Sequence, residues 1–278
     1  SEVRKARKHN ARALKVLRLL KEANVLKTFI GVESGSPSQL IRYRKGVTIE
    51  ESAESARRIR NAGIELEVGF VFFDPEVRLD ELRDNIRFIE DTRIYESNSR
   101  LFKPLRAQAG SPIEKRLRDR RKDNLTPRLV SDQISLDDLS FEYEFSDKTE
   151  AAVIWILKLH ETWEEQIQYM VRYLITLYRN ETGPRARELL YHQILDLRRL
   201  DFEFMKAIIM AQTDIERRAA AIEKLYGLRE HLKKINRDIA EGMIKEPTPR
   251  LRDEMLVKAF SDNTQILRML GETPEDFD

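Results

Sequence analysis

The stretch Phe29-Ile30-Gly31-Val32-Glu33-Ser34-Gly35-Ser36-Pro37 decides how the chain reads. An apolar run carries an acidic residue and a hydroxyl to the end of a predicted strand. Two glycines and a proline then turn the chain into a helix that runs to Lys45. Ser36 suits the cap of that helix and Pro37 its first position, and Gln39 completes a Ser-x-x-Gln capping box. Functional groups set where a strand ends and a helix begins are typical of α/β sites.

Working outward, the spacing of Leu14, Leu17 and Leu20 predicts an amphipathic helix over Ser1 to Ala23, with Arg4, Lys5, Arg7, Lys8, Arg12, Lys15, Arg18 and Lys21 on its other faces. That basic surface suits either a nucleic acid or acidic partner, or the solvated side of a barrel helix. With no strand ahead of this helix, the chain is expected to begin inside a domain. A strand is predicted over Lys27 to Glu33. Thr48 and Glu51 form a second capping box, opening a helix that Gly63 ends. Glu65 to Phe73 reads as a second strand, and its continuous apolar core from Val68 to Phe73 suits a parallel strand buried on both faces. Leu79, Leu82, Ile86 and Ile89 mark a further helix. Ser99 to Arg106 reads as a third strand interrupted by Pro104, followed by the turn Ala109-Gly110-Ser111-Pro112 and a charged helix from Ile113. Alternating helices and strands argue for a parallel α/β sheet, but three strands are too few to close a barrel.

The polar, charged run from Arg118 to Asp138 is expected to be a loop or a partly ordered connector. Leu139, Phe141, Tyr143 and Phe145 alternate with Ser140, Glu142 and Glu144, the period of a half-buried strand. From Lys148 the pattern is helical throughout, with helices expected near 148–179, 184–211, 214–241 and 250–270. The domains are thus an α/β unit at 1–122, a connector with an extended segment at 123–147, and a helical domain at 148–278.

The chain has 278 residues, 41% hydrophobic, and a net charge of +2 from 50 basic and 48 acidic side chains. Balanced charge argues against a chain whose main work is electrostatic capture of nucleic acid. No apolar run reaches the ~18 residues of a membrane span, and with no signal peptide in the sequence a soluble, cytoplasmic protein is expected. There are no cysteines. Disulfides, thiolate catalysis, Cys-ligated zinc and Cys-bound iron–sulfur clusters are excluded within this chain.

From Val25 to Leu117 the sequence resembles the C-terminal half of a radical S-adenosylmethionine (SAM) core domain, in the branch that often carries a cobalamin-binding domain. The resemblance rests on four motifs in order. The first is Val32-Glu33-Ser34-Gly35-Ser36 and the second Lys45-Gly46-Val47-Thr48. The third is Gly69-Phe70-Val71-Phe72-Phe73-Asp74-Pro75-Glu76, in which Phe73 replaces the family's second glycine. The fourth is Leu101-Phe102-Lys103-Pro104-Leu105-Arg106, followed by Ala109-Gly110-Ser111-Pro112. The resemblance implies a partial (β/α)6 barrel, of which about three parallel strands are present, followed by a helical bundle. It implies that Glu33 and Ser34 face the ribose or methionine part of SAM and that Lys45 pairs with its carboxylate. Val71 and Phe73 would line the adenine, and Arg106 would touch SAM or substrate. From the residues alone, Glu33 also suits a cap for the helix at Pro37 and Lys45 the C-terminal end of that helix. Val71 and Phe73 suit a core.

Radical SAM chemistry needs a reduced [4Fe–4S] cluster held by a Cys-x3-Cys-x2-Cys loop, which this chain lacks. The resemblance therefore implies a cysteine-bearing N-terminal half, in the same or a separate polypeptide, as partner, with cobalamin as a further cofactor of that branch. The competing expectation is a non-catalytic relic whose helical domain binds a protein or nucleic acid. His192 lies between Glu188 and Asp196 on one helical face, and His160 precedes Glu164, but ion-paired histidines explain both better than a metal site.

Overall fold

The computed structural model describes residues 2–97, 103–136, 139–146, 149–158, 174–175, 177–179 and 183–243. The chain divides into two units, Ser1–Ser146 and Asp147–Asp278.

The first unit opens with helix α1 (Glu2–Glu22) and strand β1 (Lys27–Glu33). Two helices follow, α2 (Pro37–Arg42) and α3 (Ile49–Asn61), and the chain returns as β2 (Glu65–Phe70). This helical crossover lets β2 lie parallel to β1, in register from Lys27 beside Glu65 to Gly31 beside Gly69. The register slips between Gly31 and Glu33. The capping box that opens α3 is present: Thr48 Oγ1 accepts from the Glu51 N–H, and the Glu51 carboxylate accepts from the Thr48 N–H.

Three expectations need correction. The capping box at Ser36 and Gln39 does not form. Ser36 occupies the cap position without bonding through its side chain to the helix backbone, because Gln39 is drawn into buried polar contacts. The second strand is not buried on both faces. Leu66, Val68, Phe70 and Phe72 are buried against the helices, whereas Gly69 and Val71 are half-buried and Glu65 and Glu67 exposed. Lys27 Nζ lies 2.8 Å from Glu67 and 3.4 Å from Glu65 on that open face. The third strand is reduced, among the described residues, to a single parallel bridge between Phe73 and Pro104. Pro104 has no N–H to extend the ladder, and the Leu105 N–H donates instead to the Phe73 carbonyl at 2.7 Å. Residues 98–102 lie outside the described residues.

Helix α4 (Leu79–Thr92) packs Leu82, Ile86, Phe88 and Ile89 into the core, and a 3-10 turn (Ile94–Ser97) follows. Then come β3 (Ala107–Gln108), α5 (Pro112–Lys122), β4 (Leu129–Ser135) and β5 (Ser140–Tyr143). These strands form an antiparallel sheet in the order β3-β5-β4. The run from Arg118 to Asp138, expected as a loop or a partly ordered connector, is mostly the end of α5 and strand β4. Only Leu129 of β4 is buried, joining a small core with Ala107 and Leu117. A strand that exposed shows no apolar period. The unit is mixed α/β, and its described strands close no barrel.

In the second unit, residues 150–158 are helical (α6), followed by α7 (Pro184–Met210) and α8 (Asp214–Ala240). The last two lie within a residue of expectation, with Thr213 and Glu216 forming the capping pair between them. The pairs Gln193–Asp238, Asp196–Lys234 and Asp201–Lys224 draw closer in sequence toward the turn, so α7 and α8 run antiparallel. Lys224 is buried, with Nζ 2.6 Å from Asp201 and 4.1 Å above the Phe204 ring. The helix expected at 250–270, most of that at 148–179, and His160 lie outside the described residues. No described helix is long and apolar enough to cross a membrane.

Candidate functional site

The site is built at the exits of β1 and β2. Glu33 ends β1 at φ +67°, a left-handed conformation uncommon for any residue but glycine. It stands where the register slips, as a bulge that re-aims a side chain requires. Along β1, Phe29, Gly31 and Glu33 share one face, Gly69 lies beside Gly31 on β2, and Val71 follows just past the end of β2. Glu33 Oε1 lies 2.9 Å from Lys45 Nζ, both side chains half-buried. A Cβ on Gly31 would fall 2.3 Å from Glu33 Oε1 and 3.1 Å from Lys45 Nζ, and one on Gly69 would fall 2.7 Å from the tip of Phe29. The two glycines thus leave a strip of bare backbone under an ion pair and an aromatic ring. The Val71 N–H donates to the Glu33 carbonyl at 2.7 Å, joining the two exits.

Behind this face is a buried polar network that the sequence did not reveal. The Ser34 hydroxyl, fully buried, sits 2.6 Å from Gln39 Oε1 and 2.9 Å from Asn85 Oδ1, and it accepts from the Ser36 N–H. Having one hydrogen, it donates to one of those oxygens at a time. Gln39 Nε2 donates to Asp74 Oδ2 at 3.0 Å. That oxygen also accepts from Tyr43 at 2.6 Å and from Arg42 at 2.7 Å. Arg42 in turn grips both oxygens of the buried Glu81, at 3.0 and 2.9 Å, the fork geometry that favours arginine over lysine. Burial opposes the charge on Arg42, but the bonds to Glu81 and Asp74 outweigh it and hold the guanidinium above its ordinary range. Burial, reinforced by the Asp74 charge, pushes the Tyr43 phenol up, so Tyr43 stays a neutral donor. A cleft of about 440 Å³ opens beside Arg42 and Tyr43, walled by Leu105, Pro112, Ile113 and Arg116.

Of the six residues singled out from the sequence, the structure brings Glu33, Lys45 and Val71 together on the open face. Ser34 is turned into the network behind it. Phe73 is fully buried, edge-on to Phe72 at 4.7 Å. Arg106 is exposed just before β3. The network role of Gln39, Arg42, Asp74, Glu81 and Asn85, not foreseen in the sequence, left one usable signal. Asn85 falls on the same stripe of α4 as Leu82, Ile86 and Ile89, where an unpaired amide would be costly.

No family model matches the chain. A stretch of 92 residues is 39% identical to 4'-phospho-dehydrooxetanocin synthase of Priestia megaterium, amounting to 33% of this chain and 12% of that protein. Among solved structures, the cobalamin-dependent S-adenosylmethionine radical enzyme OxsB with aqua-cobalamin bound superposes with a TM-score of 0.70. The match has 19% identity, over 84% of this chain and 41% of that one. The form of OxsB with both aqua-cobalamin and S-adenosylmethionine bound gives a TM-score of 0.67 at the same coverage. The fold is similar to part of OxsB. This chain spans 41% of that enzyme and 12% of the synthase.

Proposed function

We propose that this chain supplies the SAM-cradling C-terminal half of a radical SAM barrel. The observation that carries the reading is the Glu33–Lys45 ion pair over the bare backbone of Gly31 and Gly69, at the exits of two parallel strands. Opposite charges 2.9 Å apart on a half-open face form a template for a zwitterion. Lys45 would take the carboxylate of the methionine end of SAM, and Glu33 would accept from its ammonium or from the ribose hydroxyls. Val71, with backbone already tied to Glu33, would support the adenine. Bound SAM would supply the carbon group that the enzyme transfers or converts to a radical.

The chain does not fit an iron–sulfur cluster, because it has no thiolate to ligate one. The cluster would belong to a cysteine-bearing half, in the same or another polypeptide. Two features support such a partner: the outer edge of β1 has no strand beside it among the described residues, and Leu14, Leu19, Leu26 and Phe29 are exposed close to that edge in sequence. Likeness to OxsB supports a cobalamin-associated enzyme, with cobalamin held outside the residues assigned here. The test is anaerobic co-purification with the cysteine-bearing half, followed by SAM cleavage assays on Glu33→Ala and Lys45→Ala. Loss of about tenfold or more in SAM affinity is expected for each, the scale of a charge-assisted hydrogen bond. Unchanged cleavage and affinity in both variants would overturn the assignment.

A further inference from the structure

We infer that Asn85 is a positioning residue for Glu33, an inference that rests on reading Glu33 as a SAM contact. Glu33 holds a left-handed backbone at φ +67°, uncommon for a residue with a side chain. The Val71 N–H holds its carbonyl from one side, and the bonds of Asn85 hold the residues that follow it. Its side chain is fully buried and comes from α4, outside the turn. Asn85 Oδ1 accepts from the Gly35 N–H at 2.7 Å and lies 2.9 Å from the Ser34 hydroxyl, so it fixes the two residues that follow Glu33. Its Nδ2 donates to Gln39 Oε1 at 2.8 Å. Gln39 carries the chain of bonds on to Asp74, just beyond the end of β2.

One amide therefore registers both strand exits. It must accept on one side and donate on the other, which a carboxylate or an aliphatic side chain of the same size cannot do. Asn85 is buried behind the turn, so it acts on SAM through Glu33 rather than by touch.

The experiment is a double-mutant cycle on SAM affinity, measured by titration calorimetry with SAM as the probe, in this chain assembled with its cysteine-bearing half. Glu33→Gln is expected to weaken binding about tenfold, and Asn85→Leu to weaken it by a similar factor. The double variant is expected to be no weaker than the worse single one, because Asn85 works through Glu33. If the two losses multiply, or if Asn85→Leu binds as wild type, the inference is overturned while the reading of Glu33 stands. If Glu33→Gln binds as wild type, both are overturned. Should Asn85→Leu not fold, Asn85→Asp keeps the acceptor for Gly35 and replaces the donor to Gln39 with a buried acceptor. Its smaller loss is expected to vanish in the Glu33→Gln background, and persistence there overturns the inference.

Discussion

Two glycines four residues apart should respond to the same substitution in opposite ways. In Gly35→Ala the new Cβ would sit 2.3 Å from Phe88 Cβ and 2.6 Å from its Cγ, and Phe88 is anchored in the core against Phe70. Overpacking of that kind costs about 1–3 kcal/mol, so the melting temperature is expected to fall, as calorimetry can read directly. In Gly31→Ala the obstructing atoms are the mobile ends of Glu33 and Lys45. The fold is expected to hold while SAM affinity drops, since the ion pair must move aside. The strand-to-helix turn itself was legible in the sequence because glycine, proline and a charged strand end rarely coincide. What Gln39 does was not legible. A Ser-x-x-Gln spacing is consistent with a capping box, and only the folded chain shows that Ser34, Asn85 and Asp74 compete for the same amide and win.

At the scale of elements, legibility followed burial and caps. Strand β1, helix α3 and the α7–α8 hairpin could be read because each has a periodic apolar face or a local stop signal. Thr48→Ala removes one half of an exposed capping box and is expected to destabilise the first unit by about 1 kcal/mol, measurable by urea unfolding. Strand β4 could not be read in this way. It buries Leu129 and exposes Val130, Ile134 and most of its polar residues, so its order comes from pairing with β5 rather than from its own pattern. The third parallel strand, expected over Ser99 to Arg106, shows among the described residues only a bridge at Pro104, which has no N–H to extend it, and its first half lies outside those residues.

At the scale of the whole molecule, the two units should differ in their response to acid. His231 packs in the α7–α8 hairpin with Nε2 3.3 Å from the Gln193 carbonyl. Burial lowers its pKa below the ordinary 6.5, and the repulsion of Lys234 adds to this while Asp196 and the Gln193 carbonyl oppose it. The unfolded chain therefore binds a proton that the folded unit resists. Stability is full above about pH 6.5 and is lost as pH falls through that value toward the lower folded one. Thermal unfolding of the helical unit should show this slope, and His231→Gln should flatten it. The sequence singled out His160 and His192 but not the half-buried His231. One consequence of the β1–β2 ladder, whose outer β1 edge carries no other strand among the described residues, can be counted in isotope exchange. A strand paired on one side only turns every second amide toward solvent, so deuterium uptake along Lys27–Glu33 should alternate between slow and fast. The partner half proposed above would announce its arrival by slowing the fast amides, without iron, turnover or a known substrate.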